Sequence, residues 1–392
     1  MTTKELLYTM FSMKIERKLL SILKIQLLST NKGLVIYGPR QVGKTTLIND
    51  LLKRFDWHTL VLNGDQRGAW WEALISRDLS KLTLLVSGYD AVFVDEAQRI
   101  PEIGLSLKII LDNFPKLKVI VTGSSSLDLA SKISEPLTGR IYSYRLFSIS
   151  IGELKKTKTP YEIESQVEER LIYGSYPEIF SFDGTEAKSK YLQDLVGTYL
   201  YKDLLEFGDI RNSSKILDLL KLLAFQVGNQ VSLSELANSL GLSRVTVERY
   251  IDLLEKSYII FRLSGFSRNL RKEVSKMDKI YFYDLGVRNT VIGNLNLLNS
   301  RDDVGKLWEN FLVTERMKML SYTQNPASIY FWRTHTGAEL DYVEEREGGL
   351  FGFEFKYGSK VGKSPNSWID TYPNSKYKTI NRDNYLDFIL KK

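Results

Sequence analysis

The sequence predicts an α/β chain that opens on a parallel sheet and continues into smaller modules. Three observations carry that expectation. Short apolar runs at Gly33–Tyr37, Ala91–Val94 and Lys118–Thr122 each end in glycine, hydroxyl or carboxylate residues, as strands of a nucleotide-type sheet do at their carboxyl ends. Residues 216–263 switch to a rhythm of three helices followed by a strand. From Lys279 the pattern becomes strand-like, interrupted by a helix, DDVGKLWENFLVTERMKML.

The chain has 392 residues with 54 Lys plus Arg, 47 Asp plus Glu, no Cys and two His. Zinc fingers, thiol catalysis and disulfide scaffolds are therefore excluded. A hydrophobic share of 43% with 26% charged residues is globular composition, and at roughly 100–200 residues per domain the length predicts two to four domains. The net charge of +7 leans weakly towards an anionic partner. Within the first 30 residues, Lys4, Glu5, Lys14, Glu16, Arg17, Lys18 and Lys24 interrupt every apolar stretch, so no signal-peptide core is present. No uncharged apolar run reaches the ~18 residues of a spanning helix, and the expectation is a cytoplasmic protein with no membrane association. Leu19, Leu20, Ile22, Leu23 and Leu27 recur near a helical period and predict a helix packed on the first domain.

Residues 33–48, GLVIYGPRQVGKTTLI, place a G-x-x-x-x-G-K-T loop between a strand and a helix, the context the phosphate-binding P-loop requires. The loop Gly38, Pro39, Arg40, Gln41, Val42, Gly43, Lys44, Thr45 and Thr46 is the candidate ATP cradle. Gly38 and Gly43 let backbone N–H groups converge on a phosphate, and the helix that follows adds its positive end. Lys44 reaches the β- and γ-phosphates, and the Thr45 hydroxyl is a Mg²⁺ ligand. In AVFVDE, Asp95 and Glu96 end a buried-type strand; Asp95 is the candidate for the Mg²⁺ shell and Glu96 for polarising the attacking water. The pair favours an ATP hydrolase, and no N-K-x-D guanine-reading motif follows in this domain. In KVIVTGSSS, Thr122 or Ser124 is placed to sense the γ-phosphate or the water, with turn capping as the alternative role.

GPRQVGKTT, VFVDEAQRIPE, VTGSSSLDL and EPLTGRIYSYRLFSISIGEL, in that order, resemble an AAA-type (ASCE) P-loop ATPase family of archaea and bacteria. The resemblance spans Gly33 to about Leu154. It implies an arginine directed at the γ-phosphate, for which Arg140 in LTGR is the candidate, and an arginine acting between subunits implies a homo-oligomer.

After the hinge-like KKTKTP, helical patterns at 162–173 and 186–207 flank GSYPE, which resembles the lid segment of the same family. In 216–263 a helix capped by Ser232 or Ser234 closes at Gly241, and a third helix runs from Ser243 to about Lys256 before a strand at 258–263, the pattern of a winged helix. Arg244 and Arg249 on the third helix are balanced by Glu248, Asp252 and Glu255, whereas Arg262, Arg268, Arg271, Lys272, Lys276 and Lys279 outweigh Glu273 and Asp278. Phosphate contact by this basic stretch and a merely solvated wing are both open.

Beyond Lys279 the acids order as Glu309 on a helix, Asp341 on a strand, and Glu354-Phe355-Lys356 on the next. Strand alternation puts Glu354 and Lys356 on one face, with Asp341 brought beside them by the neighbouring strand. Two carboxylates and a lysine can bind Mg²⁺ and activate water for phosphodiester cleavage. This order, with SRNLRKEV, KIYFYDLGVRN, LWENF, YFWRT, GAELDYV and GFEFK, resembles a domain of unknown function related to PD-(D/E)XK nucleases. The resemblance implies Asp341 and Glu354 as metal ligands, Lys356 as the catalytic lysine and Glu309 as an extra acid, although Asp341 sits in E-L-D rather than P-D.

The expected layout is a P-loop ATPase domain (1–154), a helical lid or linker (155–215), a winged-helix module (216–278) and a restriction-endonuclease-like α/β domain (279–392). Its expected activity is Mg²⁺-dependent ATP hydrolysis coupled to a DNA-binding or nuclease-like module. The alternative is a regulatory ATPase switch whose last two modules bind protein partners without cleaving anything.

Overall fold

A computed structural model describes residues 15–124, 137–200, 213–268 and 277–391. They form two compact units: Glu16–Ser148 with Lys256–Tyr258, and Ile149–Glu255 with Ile259–Lys392. Among the described residues no helix is long and apolar enough to cross a membrane.

The first unit is a five-stranded, all-parallel sheet in the order β2-β3-β4-β1-β5, made of β1 (Gly33–Tyr37), β2 (Thr59–Asn63), β3 (Ala91–Asp95), β4 (Lys118–Gly123) and β5 (Ile141–Arg145). β1 and β3 are buried along their whole length, which is why they read as unbroken apolar runs. β2 and β5 are half-exposed edge strands; β2 carries the short apolar run Leu60-Val61-Leu62, whereas no apolar run announces β5. Helix α1 (Lys18–Ser29) buries Leu19, Leu20, Leu23 and Leu27, the stripe its spacing predicts. Helix α2 (Lys44–Leu52) follows the phosphate-type loop. Because Ile36 pairs with Thr122 and Val94 with Val121, the carboxyl ends of β1, β3 and β4 finish level at one edge of the sheet.

In the second unit, the segment expected to be a separate lid is built into its surroundings. Asn289 donates to the carbonyls of Leu171 (2.9 Å) and Ile172 (2.8 Å), and the Ser175 N–H donates to Asp284 (2.8 Å), so 160–194 packs as part of this unit. Helices α3 (Ser213–Phe225), α4 (Leu233–Leu240) and α5 (Arg244–Lys256) follow in the predicted order. Ser232 accepts from the Glu235 N–H at 3.3 Å and Gly241 closes α4 in the left-handed region, as the cap signals require. The pair β6 (Ile260–Leu263) and β7 (Lys279–Phe282) runs antiparallel with Leu263 opposite Lys279, so the backbone pairing crosses the boundary expected at 278/279.

The remaining sheet has the order β11-β10-β9-β8, with β8 (Ser328–Arg333), β9 (Glu339–Arg346), β10 (Gly349–Phe355) and β11 (Lys376–Ile380); only β10 and β11 pair in parallel. Helix α6 (Leu285–Val291) precedes α7 (Val304–Tyr322), which carries the fully buried Trp308. Arg316 on α7 grips Glu344 on β9 through Nε (2.5 Å) and Nη2 (2.8 Å), both side chains being buried. Trp332 and Trp368 meet edge to face, 5.1 Å between ring centroids, in the core on the sheet.

Candidate active site

The loop after β1 is shaped by two glycines. A Cβ on Gly38 would lie 2.2 Å from the Leu146 carbonyl oxygen, and Gly43 holds φ 90° at the mouth of α2. Lys44 is buried, and its ammonium donates to the carbonyls of Gly38 (3.0 Å) and Pro39 (2.9 Å) inside the loop. Arg17 enters from the start of α1, donating to the carbonyls of Val42 (2.8 Å) and Phe147. It braces the loop from behind, and nothing in the local sequence sets it apart from the helix's other basic residues.

Asp95, at the end of β3, gathers donors. The Thr45 hydroxyl reaches Oδ2 at 2.7 Å, the Thr122 hydroxyl reaches Oδ1, and the Glu96 N–H reaches Oδ1 at 3.1 Å. The proposed Mg²⁺ residues Thr45 and Asp95, which are 50 positions apart in sequence, are thus in direct contact. A carboxylate and a hydroxyl beside a phosphate loop form the hard-oxygen donor set that Mg²⁺ prefers, so these residues fit that ion.

Glu96 departs from the strand with φ 48°, a left-handed turn that aims its carboxylate away from Asp95's partners. Its Oε2 accepts from the Gln98 amide at 2.5 Å and from the Ser124 hydroxyl at 3.2 Å, and Gln98 also donates to Ser124 at 3.0 Å. The two hydroxyls that the sequence left as alternatives therefore do different things: Thr122 binds Asp95 and Ser124 binds Glu96. Ser125 and Ser126 of the same run lie outside the described residues. Gln98 was missed by motif reading. Its amide oxygen is buried with no protein partner, a position from which it can accept from a water beside Glu96.

Arg140 lies away from the phosphate loop of its own chain. It precedes β5 at the end where Gly33 pairs with Ile141, whereas the phosphate loop leaves the other end of β1, about 16 Å away at ~3.3 Å per residue. Its guanidinium forks onto Asp112 at 2.6 and 3.1 Å. Arg140 does not serve the phosphate loop of its own chain.

The C-terminal acids also converge. Buried Glu309 on α7 accepts from Lys279 (3.1 Å), Tyr281 (2.7 Å) and Lys306 (3.3 Å). Lys279 further contacts Glu339 at 2.6 Å and Asp341 at 3.9 Å. Asp341 accepts the Phe355 N–H at 2.7 Å, while Glu354 holds Lys356 and the Tyr377 hydroxyl, each at 2.7 Å. Burial, reinforced by the charge of Glu309, pushes the Asp341 carboxyl up to about 6. Burial alone would depress the Lys279 amine, but Glu309, Asp341 and Glu339 together hold it above its ordinary range. The hydrogen bond that Lys356 donates to Glu354 raises its pKa, with Asp341 and Glu309 adding to the effect, so the predicted residues share one electrostatic neighbourhood. Among the described residues, no three carboxylate or imidazole side chains are grouped so as to hold a metal ion.

The basic stretch after α5 is largely committed. Arg262 bonds Asp252 and Glu255 on α5, Arg268 bonds Glu345, and Lys279 is buried among acids. These pairings neutralise Arg262, Arg268 and Lys279; Arg271, Lys272, Glu273 and Lys276 lie outside the described residues.

Comparison with known proteins follows this geometry. Residues 30–155 match the model of an AAA domain, residues 164–298 match a domain of unknown function (DUF8612), and residues 304–382 match another (DUF4143). An uncharacterized protein of Mycobacterium tuberculosis, Rv2008c, is 28% identical over 330 residues, covering 82% of this chain and 69% of its own. An uncharacterized protein of Methanocaldococcus jannaschii, MJ1544, is 25% identical over 331 residues, covering 80% and 72%. Among solved structures, the Thermotoga maritima RuvB Holliday junction branch migration motor overlaps 63% of this chain and 90% of its own at 17% identity, with a TM-score of only 0.33. The phosphate loop, the Thr45–Asp95 contact and the match over 30–155 agree in likening this part of the chain to an AAA domain of the P-loop type.

Proposed function

We propose that this chain is a Mg²⁺-dependent ATP hydrolase that works as a regulatory switch in the cytoplasm, its nucleotide state read out by the C-terminal unit. The observation that carries the reading is the separation of two carboxylates at one strand end. Asp95 is tied to Thr45 and Thr122, and Glu96 to Gln98 and Ser124. One is placed to hold the cation and the other to orient and polarise water. Residues 38–46 hold the phosphates through backbone N–H groups, and Lys44 exchanges its loop carbonyls for phosphate oxygens. Thr45 and Asp95 would hold Mg²⁺, which would offset the charge that builds on the phosphate oxygens. Replacing Lys44 with Ala tests the assignment, because retained turnover would remove it.

In this reading, 216–278 is a winged helix and 279–392 a nuclease-like fold, both used for recognition rather than cutting. The pairing of Arg262 and Arg268 with acids favours protein partners. A second reading, DNA binding, draws on the exposed Arg244 and Arg249 on α5. Binding that weakens steeply between 50 and 200 mM salt would support it, and no binding at low salt would leave the switch alone.

A further inference from the structure

Carboxylates from two different parts of the chain converge on one ammonium. Glu309 comes from α7, and Glu339 and Asp341 from β9; the Lys279 Nζ lies 3.1, 2.6 and 3.9 Å from them in that order. The same amine sits over the Phe331 ring, 5.4 Å from its centroid. Lys279 is only 1% exposed, so this cation does not exchange with solvent.

Its backbone is fixed on both sides. Lys279 pairs with Leu263 across the β6–β7 ladder and bridges Gln230 on its other edge, while the Val231 N–H donates to the Asp278 carbonyl at 2.9 Å. The amine is therefore delivered by a strand that cannot easily withdraw. Other donors engage the cluster as well. Tyr281 and Lys306 donate to Glu309, Phe355 donates to Asp341, and Glu354 is turned to Lys356 and Tyr377.

A divalent ion held by Asp341 and a neighbouring carboxylate would have to approach within a few ångströms of this buried ammonium. Like charges at that range, away from water, repel strongly. We infer that Lys279 is the resident cation of the C-terminal carboxylate cluster. It supplies the positive charge a metal would otherwise bring, keeps Mg²⁺ and Mn²⁺ out, and leaves the cluster unable to cleave phosphodiesters. The corollary is a latent metal site: removing the amine leaves Asp341 without its nearest cation, while Glu309 keeps Lys306 at 3.3 Å and Glu339 keeps Arg333 at 3.7 Å, and it lets the three carboxylates that Lys279 holds apart close on a divalent cation. This inference stands independently of the ATPase reading.

The test uses the nucleotide-free full-length chain and Mn²⁺, followed by electron paramagnetic resonance. Wild type and Asp341→Asn are expected to bind Mn²⁺ identically, and neither should nick supercoiled plasmid above background. Lys279→Ala is expected to gain one Mn²⁺ site, and saturating Mn²⁺ should raise its thermal midpoint by about 5 °C while leaving that of wild type unchanged. A Mn²⁺ ion bound by wild type and lost in Asp341→Asn would overturn the inference, as would plasmid nicking by wild type that Asp341→Asn abolishes. A folded Lys279→Ala that gains no site would also overturn it. If Lys279→Ala does not fold, the comparison of wild type with Asp341→Asn decides by itself.

Discussion

Replacing Glu96 with Gln separates chemistry from binding. The Glu96 carboxylate accepts from Gln98 at 2.5 Å and from Ser124 at 3.2 Å. A glutamine of the same length can turn its amide oxygen to both donors, so the left-handed turn at residue 96 and the Asp95 contacts should survive at a cost below about 1 kcal/mol. What the amide cannot do is accept a proton. General-base assistance is worth about 10²–10⁴ in rate, or about 3–5 kcal/mol at 1.36 kcal/mol per tenfold. Phosphate release under saturating Mg·ATP should therefore fall at least 100-fold, while fluorescent ATP binding stays within about threefold of wild type. Turnover within about threefold of wild type would refute the role given to Glu96. A parallel loss of binding would show that the residue supports the loop instead.

Three further outcomes follow. Arg17→Met removes the guanidinium from two carbonyls, those of Val42 and Phe147, and should lower the stability of the ATPase unit by about 2–4 kcal/mol in urea unfolding; an unchanged midpoint would make the brace ornamental. Arg301 and Arg288 override the effect of burial on Asp303 and hold its carboxyl down at about 2. A depressed carboxylate stabilises the fold above its unfolded value near 3.8 and loses that contribution as pH falls towards 2. Partly screened, this amounts to about 1–2 kcal/mol at pH 5, with about half gone by pH 3, so the stability gap between wild type and Asp303→Asn should narrow over that range. Glu344→Gln, which leaves the buried Arg316 guanidinium without its carboxylate, should destabilise the C-terminal unit by about 3–5 kcal/mol in the same assay.

What the sequence made legible was local. The phosphate loop, the carboxylate pair at 95–96 and the caps at Ser232 and Gly241 are short segments whose chemistry and conformation are set by adjacent residues. β5 escaped notice because its mixed polar and apolar residues form no run of buried type, and β2 because its apolar run, Leu60 to Leu62, is only three residues long. Contacts between distant residues were the larger gap. Arg17 supports a loop 25 positions away, and no pattern near residue 17 says so. Lys279 read as the end of a basic, phosphate-facing stretch. Only the folded register, with Leu263 opposite it and Glu309, Glu339 and Asp341 around its amine, makes it an internal counter-ion. For Arg140 the motif position was clear, but only the parallel pairing with β1 shows that it lies at the edge of the sheet away from its own chain's phosphate loop, so that the nucleotide it would reach is a neighbouring copy's.

The central claim is that the Thr45–Asp95–Glu96 edge hydrolyses ATP with Mg²⁺, and steady-state phosphate release by the purified chain tests it most directly. Wild type should turn over ATP with Mg²⁺ and not with EDTA, and Lys44→Ala should lose at least 100-fold. Turnover that survives either EDTA or Lys44→Ala, or no turnover by the wild type across oligomeric states, would contradict the account.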